Sequence, residues 1–149
     1  MKKIFMFLMF LSARAWAVDV IGISDGDTLT VLQDGQPAKI RLANIDAPEK
    51  RQAYGERAKQ SLAEMCYRRD AVVRTIGKDR YGRAIALVYC DGTDAGREQV
   101  QRGYAWVYTK YNNDSSLPAL QAVAIAQRRC LWAEEEPTPP WEFRRGAGR

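Results

Sequence analysis

Short runs of apolar and β-branched residues, separated by glycine- and aspartate-rich turns, occupy much of the chain. Runs of this length and composition are typical of β-strands. They predict five strands, over residues 18–23, 28–33, 38–42, 71–76 and 83–90. Asp34-Gly35 lies between the second and third runs, and this pair favours a tight hairpin turn. The segment up to residue 42 is therefore predicted to be a meander of strands.

Apolar residues recur at helical spacing in three other segments. One helix is predicted over residues 54–67 and a second over residues 94–102, before Gly103, and a third begins near Ser116. The apolar face of the third helix is expected to hold Leu117, Leu120, Ala124 and Leu131. This order of elements predicts an α+β fold, a five-stranded OB-type β-barrel with three helices, because closing the sheet removes its exposed edges.

Composition changes at both ends of the chain. Residues 1–17 combine two lysines, an apolar run and Ala15-Trp16-Ala17, which is the layout of a cleavable secretory signal peptide. The apolar run is too short to cross a bilayer, and a buried N-terminal helix is the alternative interpretation. From Glu134 the sequence turns acidic and then proline-rich, so residues 134–149 are predicted to be an extended tail. The domain itself is then expected to span residues 18–133.

Export would change both the charge and the surroundings of the chain. The whole chain has 23 basic and 18 acidic residues, and the signal peptide contains three of the basic ones. The mature chain would thus be only weakly basic, and its net charge alone argues little for a nucleic-acid partner. The expected location is the periplasm or the extracellular medium, without stable membrane association after cleavage of the signal peptide.

The chain contains no histidine, and this absence narrows the chemistry open to it. Histidine triads and histidine-ligated zinc sites are excluded, so catalysis must use carboxylates, guanidiniums, tyrosines or a hard metal ion. The three cysteines are Cys66, Cys90 and Cys130. In an oxidising compartment one disulfide is favoured, and the pairings Cys66–Cys90 and Cys66–Cys130 are equally compatible with the sequence.

Four polar or aromatic clusters stand out as candidate functional residues. They are Asp25-Gly26-Asp27-Thr28, Arg41-Leu42-Ala43-Asn44-Ile45-Asp46-Ala47-Pro48-Glu49, Asp79-Arg80-Tyr81-Gly82-Arg83 and Ala105-Trp106-Val107-Tyr108-Thr109-Lys110-Tyr111. Taken singly, the first three are most simply turns and polar loops, and the fourth is most simply a packing segment. No single cluster decides the function.

Taken together, the clusters give the sequence a specific resemblance. It resembles the thermonucleases, a micrococcal-nuclease-like family of calcium-dependent phosphodiesterases, from about Val18 to Trp132. The first three clusters stand here at the spacing of the family pattern. Two departures are that the stretch from Glu49 to Tyr54 is shorter than in the archetype, and that the cysteines lie outside the family motif.

The resemblance implies a Ca²⁺ ion and gives roles to three groups of residues. The metal ligands are Asp27, Asp46 and the backbone carbonyl of Ala47. The catalytic residues are Arg41 and Arg83, which hold the scissile phosphate, and Glu49, which lies beside the attacking water. The substrate-binding residues are Arg80, Tyr81, Trp106 and Tyr108.

These residue types suit that chemistry on physical grounds. Oxygen-only ligands are those that calcium prefers. Paired guanidiniums neutralise charge on the phosphoryl oxygens of the transition state, and they remain charged at any working pH. Glu49 is the obvious candidate base in a chain without histidine. Aromatic side chains stack on bases of any sequence, which favours single-stranded or frayed nucleic acid.

The implied function is hydrolysis of phosphodiester bonds in DNA and RNA by a monomer, with 3′-phosphate and 5′-hydroxyl products. Two other classes of function are open to an OB-type barrel. One is a nucleic-acid-binding module that has lost catalysis, and the other is a protein that binds a solute or an oligosaccharide. Neither would need Asp27, Arg41, Asp46, Glu49 and Arg83 together, so the nuclease is the predicted function.

Overall fold

The computed structural model describes residues 17–147, so all but the last residue of the predicted signal peptide lies outside the described residues. The strands are β1 (Val18–Asp25), β2 (Thr28–Gln33), β3 (Gln36–Leu42), β4 (Ile45–Asp46), β5 (Asp70–Lys78), β6 (Ala84–Cys90), β7 (Thr93–Asp94) and β8 (Trp106–Val107). The helices are α1 (Gly55–Cys66), α2 (Ala95–Arg102), α3 (Leu117–Ala126) and α4 (Pro140–Ala147), and Cys130–Ala133 forms a 3₁₀ helix. Among the described residues, no helix has the length and apolar character needed to cross a membrane.

Five of the strands form the closed barrel that the sequence predicts. Strands β3, β2, β1, β5 and β6 are neighbours in that order, and each neighbouring pair is antiparallel. The barrel closes where β3 pairs with β6 in parallel, with Arg41 opposite Ile85. The pairing between β4 and β8 is separate and places Asp46 opposite Trp106. The barrel and its class are therefore confirmed.

The barrel interior is filled by the apolar positions of the strands and is covered by α1. Leu29, Ile40 and Val88 are buried inside it, and α1 packs Leu62 against them. Complete burial of a leucine side chain contributes roughly 1.5–3 kcal/mol, so α1 is held chiefly by this apolar face. Its bounds and those of α2 agree with the predicted helices.

The region after residue 116 differs from the prediction in two ways. The third helix ends at Ala126, and Leu131 lies in the following 3₁₀ helix instead of on the same helical face. The chain leaves the helix at Arg128, which has a φ of 51°, and this bend allows Leu131 and Trp132 to pack against Ala124. A regular helix would carry these two residues away from that contact.

The predicted extended tail is also wrong over its second half. Residues Pro140–Ala147 form α4, which gives four helices instead of three. Proline is compatible with a helix in its first turn because the N–H that it lacks has no helical partner there. Pro140 is buried at the start of α4, and Trp141 contacts the rings of Trp106 and Tyr108. These contacts stabilise a helix that its sequence alone does not indicate.

The structure also chooses between the two disulfide pairings that the sequence leaves open. Cys66 at the end of α1 is bonded to Cys90 at the end of β6, with their Cα atoms 5.3 Å apart. Cys130 is a free thiol. A bridge that closes a loop of this size is expected to contribute about 3 kcal/mol. It ties α1 to the barrel wall.

Candidate active site

The turn between β1 and β2 holds Asp27 against the barrel because Gly26 fits a very narrow space. A Cβ on Gly26 would lie 2.6 Å from the Cβ of Ala58 and 2.8 Å from that of Ala47. The buried amide of Gln99 donates hydrogen bonds to the carbonyl oxygens of Gly26 (2.7 Å) and Ala58 (2.9 Å). The backbone beside Asp27 is therefore fixed from two sides.

Asp27 and Asp46 form a pair of buried carboxylates joined by Arg41. Asp27 is only 5% exposed and Asp46 only 1% exposed. Nη2 of Arg41 lies 3.2 Å from Oδ2 of Asp27 and 2.9 Å from Oδ1 of Asp46. The backbone N–H of Ala47 donates to Oδ2 of Asp27 at 2.7 Å. The structure thus brings together the predicted metal ligands Asp27, Asp46 and Ala47 with the predicted catalytic Arg41.

The guanidinium of Arg41 is held at both of its terminal nitrogens. Nη1 donates to the carbonyl oxygens of Leu42 and Ile45, each at 3.0 Å, while Nη2 faces the two carboxylates. One guanidinium neutralises only one of the two carboxylates. Arg41 alone would leave one negative charge on the two carboxylates, which a second cation can neutralise.

Glu49 is positioned by a tight turn of the backbone. Its carbonyl oxygen accepts a hydrogen bond from the N–H of Gln52 at 2.8 Å, and its own N–H donates to Oε1 of Gln52 at 3.1 Å. A Cβ on Gly55 would overlap the carbonyl oxygen of Glu49, so only glycine fits at the start of α1. The short connection to α1 thereby fixes the backbone of Glu49.

The guanidinium of Arg144, from the far end of the chain, also lies in this site, and no sequence motif predicted it. Nη2 of Arg144 donates to Oδ2 of Asp46 at 2.7 Å. Its Nη1 donates to Oε1 of Glu49 at 2.7 Å and to Oδ1 of Asp46 at 3.2 Å. The spacing of Trp141 and Arg144, about one helical turn, is the signal that could have indicated that both side chains share one face.

The donor set fits calcium, and the position of Arg144 supports that fit. Among residues 17–147 no group of three or more histidine, cysteine, aspartate or glutamate side chains could hold a metal ion. The oxygens that could hold a calcium ion are those of Asp27 and Asp46 and the carbonyl of Ala47, with water completing the shell as hard cations allow. A guanidinium already stands against Asp46 and Glu49, which shows that these oxygens accept a positive charge.

The predicted phosphate-binding Arg83 lies apart from the carboxylates, on the hairpin between β5 and β6. Its Nε donates to Oδ2 of Asp79 at 2.6 Å, and its backbone N–H donates to Oδ1 of the same residue at 3.0 Å. It precedes Ala84, which is opposite Ile40 on the strand that carries Arg41. Among the described residues the Arg83 side chain is paired with Asp79, and no ion pair joins it to Asp27, Asp46 or Glu49.

The four predicted substrate-binding residues fall into two groups. Arg80 and Tyr81 lie on the hairpin, where Nη2 of Arg80 donates to the Tyr81 hydroxyl at 2.7 Å and Tyr81 is 69% exposed. Trp106 and Tyr108 lie beside β4 and contact α4. The ring of Tyr108 is parallel to that of Trp141 with centroids 5.3 Å apart, and the Trp106 centroid lies 5.7 Å from that of Trp141.

Asp25 supports the backbone of Asp27 and has an unusual pKa. Its Oδ1 accepts the N–H of Asp27 at 3.1 Å. Burial, followed by the charge of Asp27, raises the pKa of Asp25 from 3.8 to about 7. Burial also raises the pKa of Asp46, although Arg144 and Arg41 oppose the shift.

We expect the calcium-free protein to lose stability as the pH rises from about 4 to about 7, and Asp25→Asn to reduce this loss. The raised pKa means that the folded state binds a proton more tightly than the unfolded state. The protonated carboxyl of Asp25 therefore favours the folded state fully at pH values below 3.8, its pKa in the unfolded chain. This contribution is lost as the pH rises towards 7, the pKa of Asp25 in the folded state. Urea unfolding at several pH values measures the effect, with Asp34→Asn in the exposed β2–β3 turn as control. Equal pH profiles for Asp25→Asn and the wild type would contradict the expectation.

The chain is similar to known nucleases over most of its length. Residues 39–134 match the family model described as staphylococcal nuclease homologue. A protein of Escherichia coli named "Uncharacterized endonuclease" is 41% identical over 126 residues, which cover 84% of this chain and 82% of the relative. One of the same name from Haemophilus influenzae is 42% identical over 127 residues, covering 85% of this chain and 71% of the relative. A protein of Shigella flexneri named "Micrococcal nuclease" is 36% identical over an alignment of 154 positions, gaps included, which covers 94% of this chain and 88% of the relative.

Proposed function

Because the chain belongs to the staphylococcal nuclease family and is a hydrolase that acts on nucleic acids, we propose that it is a calcium-dependent nuclease of the periplasm or the extracellular medium. The observation that carries this proposal is the cluster of Asp27, Arg41 and Asp46, with Glu49 joined to Asp46 through one cation. A solute-binding barrel has no need of buried like charges held together in this way.

Asp27, Asp46 and the carbonyl of Ala47 would hold the calcium ion. When bound, the ion would polarise the scissile phosphate and position a water molecule. The chain's own residues do the rest of the chemistry. Arg41 and Arg83 bind the phosphoryl oxygens and stabilise the negative charge that develops on them. Glu49 orients the attacking water or accepts its proton.

The products would be a 3′-phosphate and a 5′-hydroxyl. The water oxygen forms a bond to phosphorus, and the bond between phosphorus and the 5′ oxygen breaks. One proton of the water goes to Glu49, which then releases it to solvent, and the leaving 5′ oxygen takes up one proton from solvent to become the hydroxyl. The atoms of one water molecule are thus divided between the two products.

The substrate would be single-stranded or locally frayed DNA and RNA, bound by a monomer. Tyr81 is exposed beside Arg80 and Arg83, which supports a place for it next to a phosphate. Trp106 and Tyr108 would offer rings for bases to stack on once Trp141, which contacts both of them, has moved away. Export is supported by the Cys66–Cys90 disulfide, because such bonds persist in oxidising compartments.

The test is digestion of single-stranded DNA and RNA with analysis of the product ends. We expect cleavage in free calcium, none with a calcium-selective chelator, and 3′-phosphate ends. Asp46→Ala should lose calcium binding and cleavage together, whereas Asp91→Ala, which removes an exposed partner of Arg69, should retain both. Undiminished cleavage under full chelation would refute the calcium assignment.

A further inference from the structure

The C-terminal helix α4 places two side chains in the proposed site at once. Arg144 makes three hydrogen bonds to the carboxylates of Asp46 and Glu49. Trp141, about one turn earlier, stacks on Tyr108 with an angle of 2° between the ring planes. A positive charge thus stands at the proposed metal site, and a flat aromatic ring stands on the proposed base-stacking surface.

We propose that α4 is a displaceable internal inhibitor, in which Arg144 takes the place of the metal ion and Trp141 that of a nucleotide base. The inference rests on the proposed function and adds regulation to the same site. In the docked state the chain occupies its own site. Calcium and single-stranded nucleic acid bind after α4 has left.

Docked α4 and calcium exclude one another because both require Asp46. Oδ2 of Asp46 accepts from Arg144, and Oδ1 accepts from both Arg41 and Arg144. With these bonds in place the residue is only 1% exposed. A calcium ion at this carboxylate would also be repelled by the guanidinium at close range. Binding of the ion therefore requires that Arg144 move away.

The attachment of α4 is weak enough to be reversible. Among the eight residues of the helix only Pro140 is buried. The side chain of Arg144 is 41% exposed, so its guanidinium is already partly hydrated in the docked state. Asp46 is buried, but it keeps Arg41 as an ion-pair partner when Arg144 leaves. A helix of this length is marginal in water once it leaves the surface. The acidic and proline-rich residues 134–139 connect it to the barrel domain.

The two arginines of α4 provide a matched pair of variants. Arg144 contacts the site, whereas Arg145 on the same helix has a 75% exposed side chain and lies 3.9 Å from Glu142. Arg144→Gln and Arg145→Gln remove the same charge from the same helix. Only Arg144→Gln should free Asp46. A difference in calcium affinity between the two variants therefore reports the contact with Asp46 and not the net charge of the helix.

The experiment is a calorimetric titration of the full chain with calcium. We expect Arg144→Gln to bind calcium about tenfold more tightly than the wild type, which corresponds to α4 being undocked in about a tenth of wild-type molecules. Arg145→Gln should bind calcium like the wild type. Trp141→Ala should bind a short oligothymidylate several-fold more tightly in chelator, where no cleavage occurs, because it frees the ring of Tyr108. Thermal unfolding verifies that each variant is folded.

The outcomes separate this inference from the proposed function. Equal calcium affinity in Arg144→Gln and the wild type overturns the inhibitor, whatever the cleavage assay gives. Tighter calcium binding without any cleavage supports the inhibitor and refutes the proposed nuclease mechanism. Absence of calcium binding from both proteins overturns the inhibitor and the metal assignment together.

Discussion

Replacement of Arg41 by lysine is expected to lower kcat by about 10²–10³-fold while the barrel remains folded. The guanidinium of Arg41 reaches two backbone carbonyls through Nη1 and two carboxylates through Nη2. A lysine ammonium retains the charge, but its hydrogen-bond donors all lie on one nitrogen at the end of a flexible side chain. It cannot hold Asp27 and Asp46 together and also bind two oxygens of a phosphate.

The measurement is kcat on single-stranded DNA at saturating calcium, with circular dichroism to verify folding. Arg97→Lys is the matched control, because Arg97 contacts Ser116 and Asp114 instead of the site carboxylates. It should cleave at the wild-type rate. A rate for Arg41→Lys within a few-fold of wild type would show that Arg41 does not bind the reacting phosphate.

Replacement of Glu49 by glutamine is expected to lower kcat by about 10²–10⁴-fold, the usual worth of a general base. Glutamine keeps the size of the side chain and the backbone turn held by Gln52 and Gly55. It cannot take a proton from water. Calcium affinity should not weaken, because the proposed ligands are Asp27, Asp46 and Ala47.

Separate measurement of kcat and calcium affinity checks this second expectation. Glu98→Gln is the control, since Glu98 is paired with Arg102 on α2 at 2.8 Å. If Glu49→Gln lost calcium binding in proportion to activity, Glu49 would be a metal ligand. If it cleaved at the wild-type rate, the base would have to be another group.

The barrel could be predicted from the sequence because its signals are local. Short apolar runs bounded by Asp34-Gly35 and similar turns predict the meander. The apolar helical face that includes Leu62 predicts α1. Helix α4 could not, because its helical state depends on the contacts of Trp141 and Arg144 with surfaces distant in the sequence. Tertiary contacts outweighed a local composition that indicated an extended chain.

In the candidate site, too, some features could be predicted from the sequence and others depend on tertiary contacts. The resemblance to the family motifs pointed to Asp27, Arg41, Asp46 and Glu49. The fold brings the three carboxylates together around the guanidiniums of Arg41 and Arg144. Nothing in the spacing of the cysteines distinguished Cys90 from Cys130 as the partner of Cys66. That choice is made by where β6 passes the end of α1.

The parallel pairing of β3 with β6 has a consequence for when the protein becomes active. It places Arg41 opposite Ile85, close to Arg83, although these residues belong to distant parts of the chain. A nascent or partly unfolded chain with only its neighbouring hairpins formed would hold the two arginines apart. If both arginines bind the phosphate as proposed, hydrolysis requires the closed barrel and not only its separate hairpins.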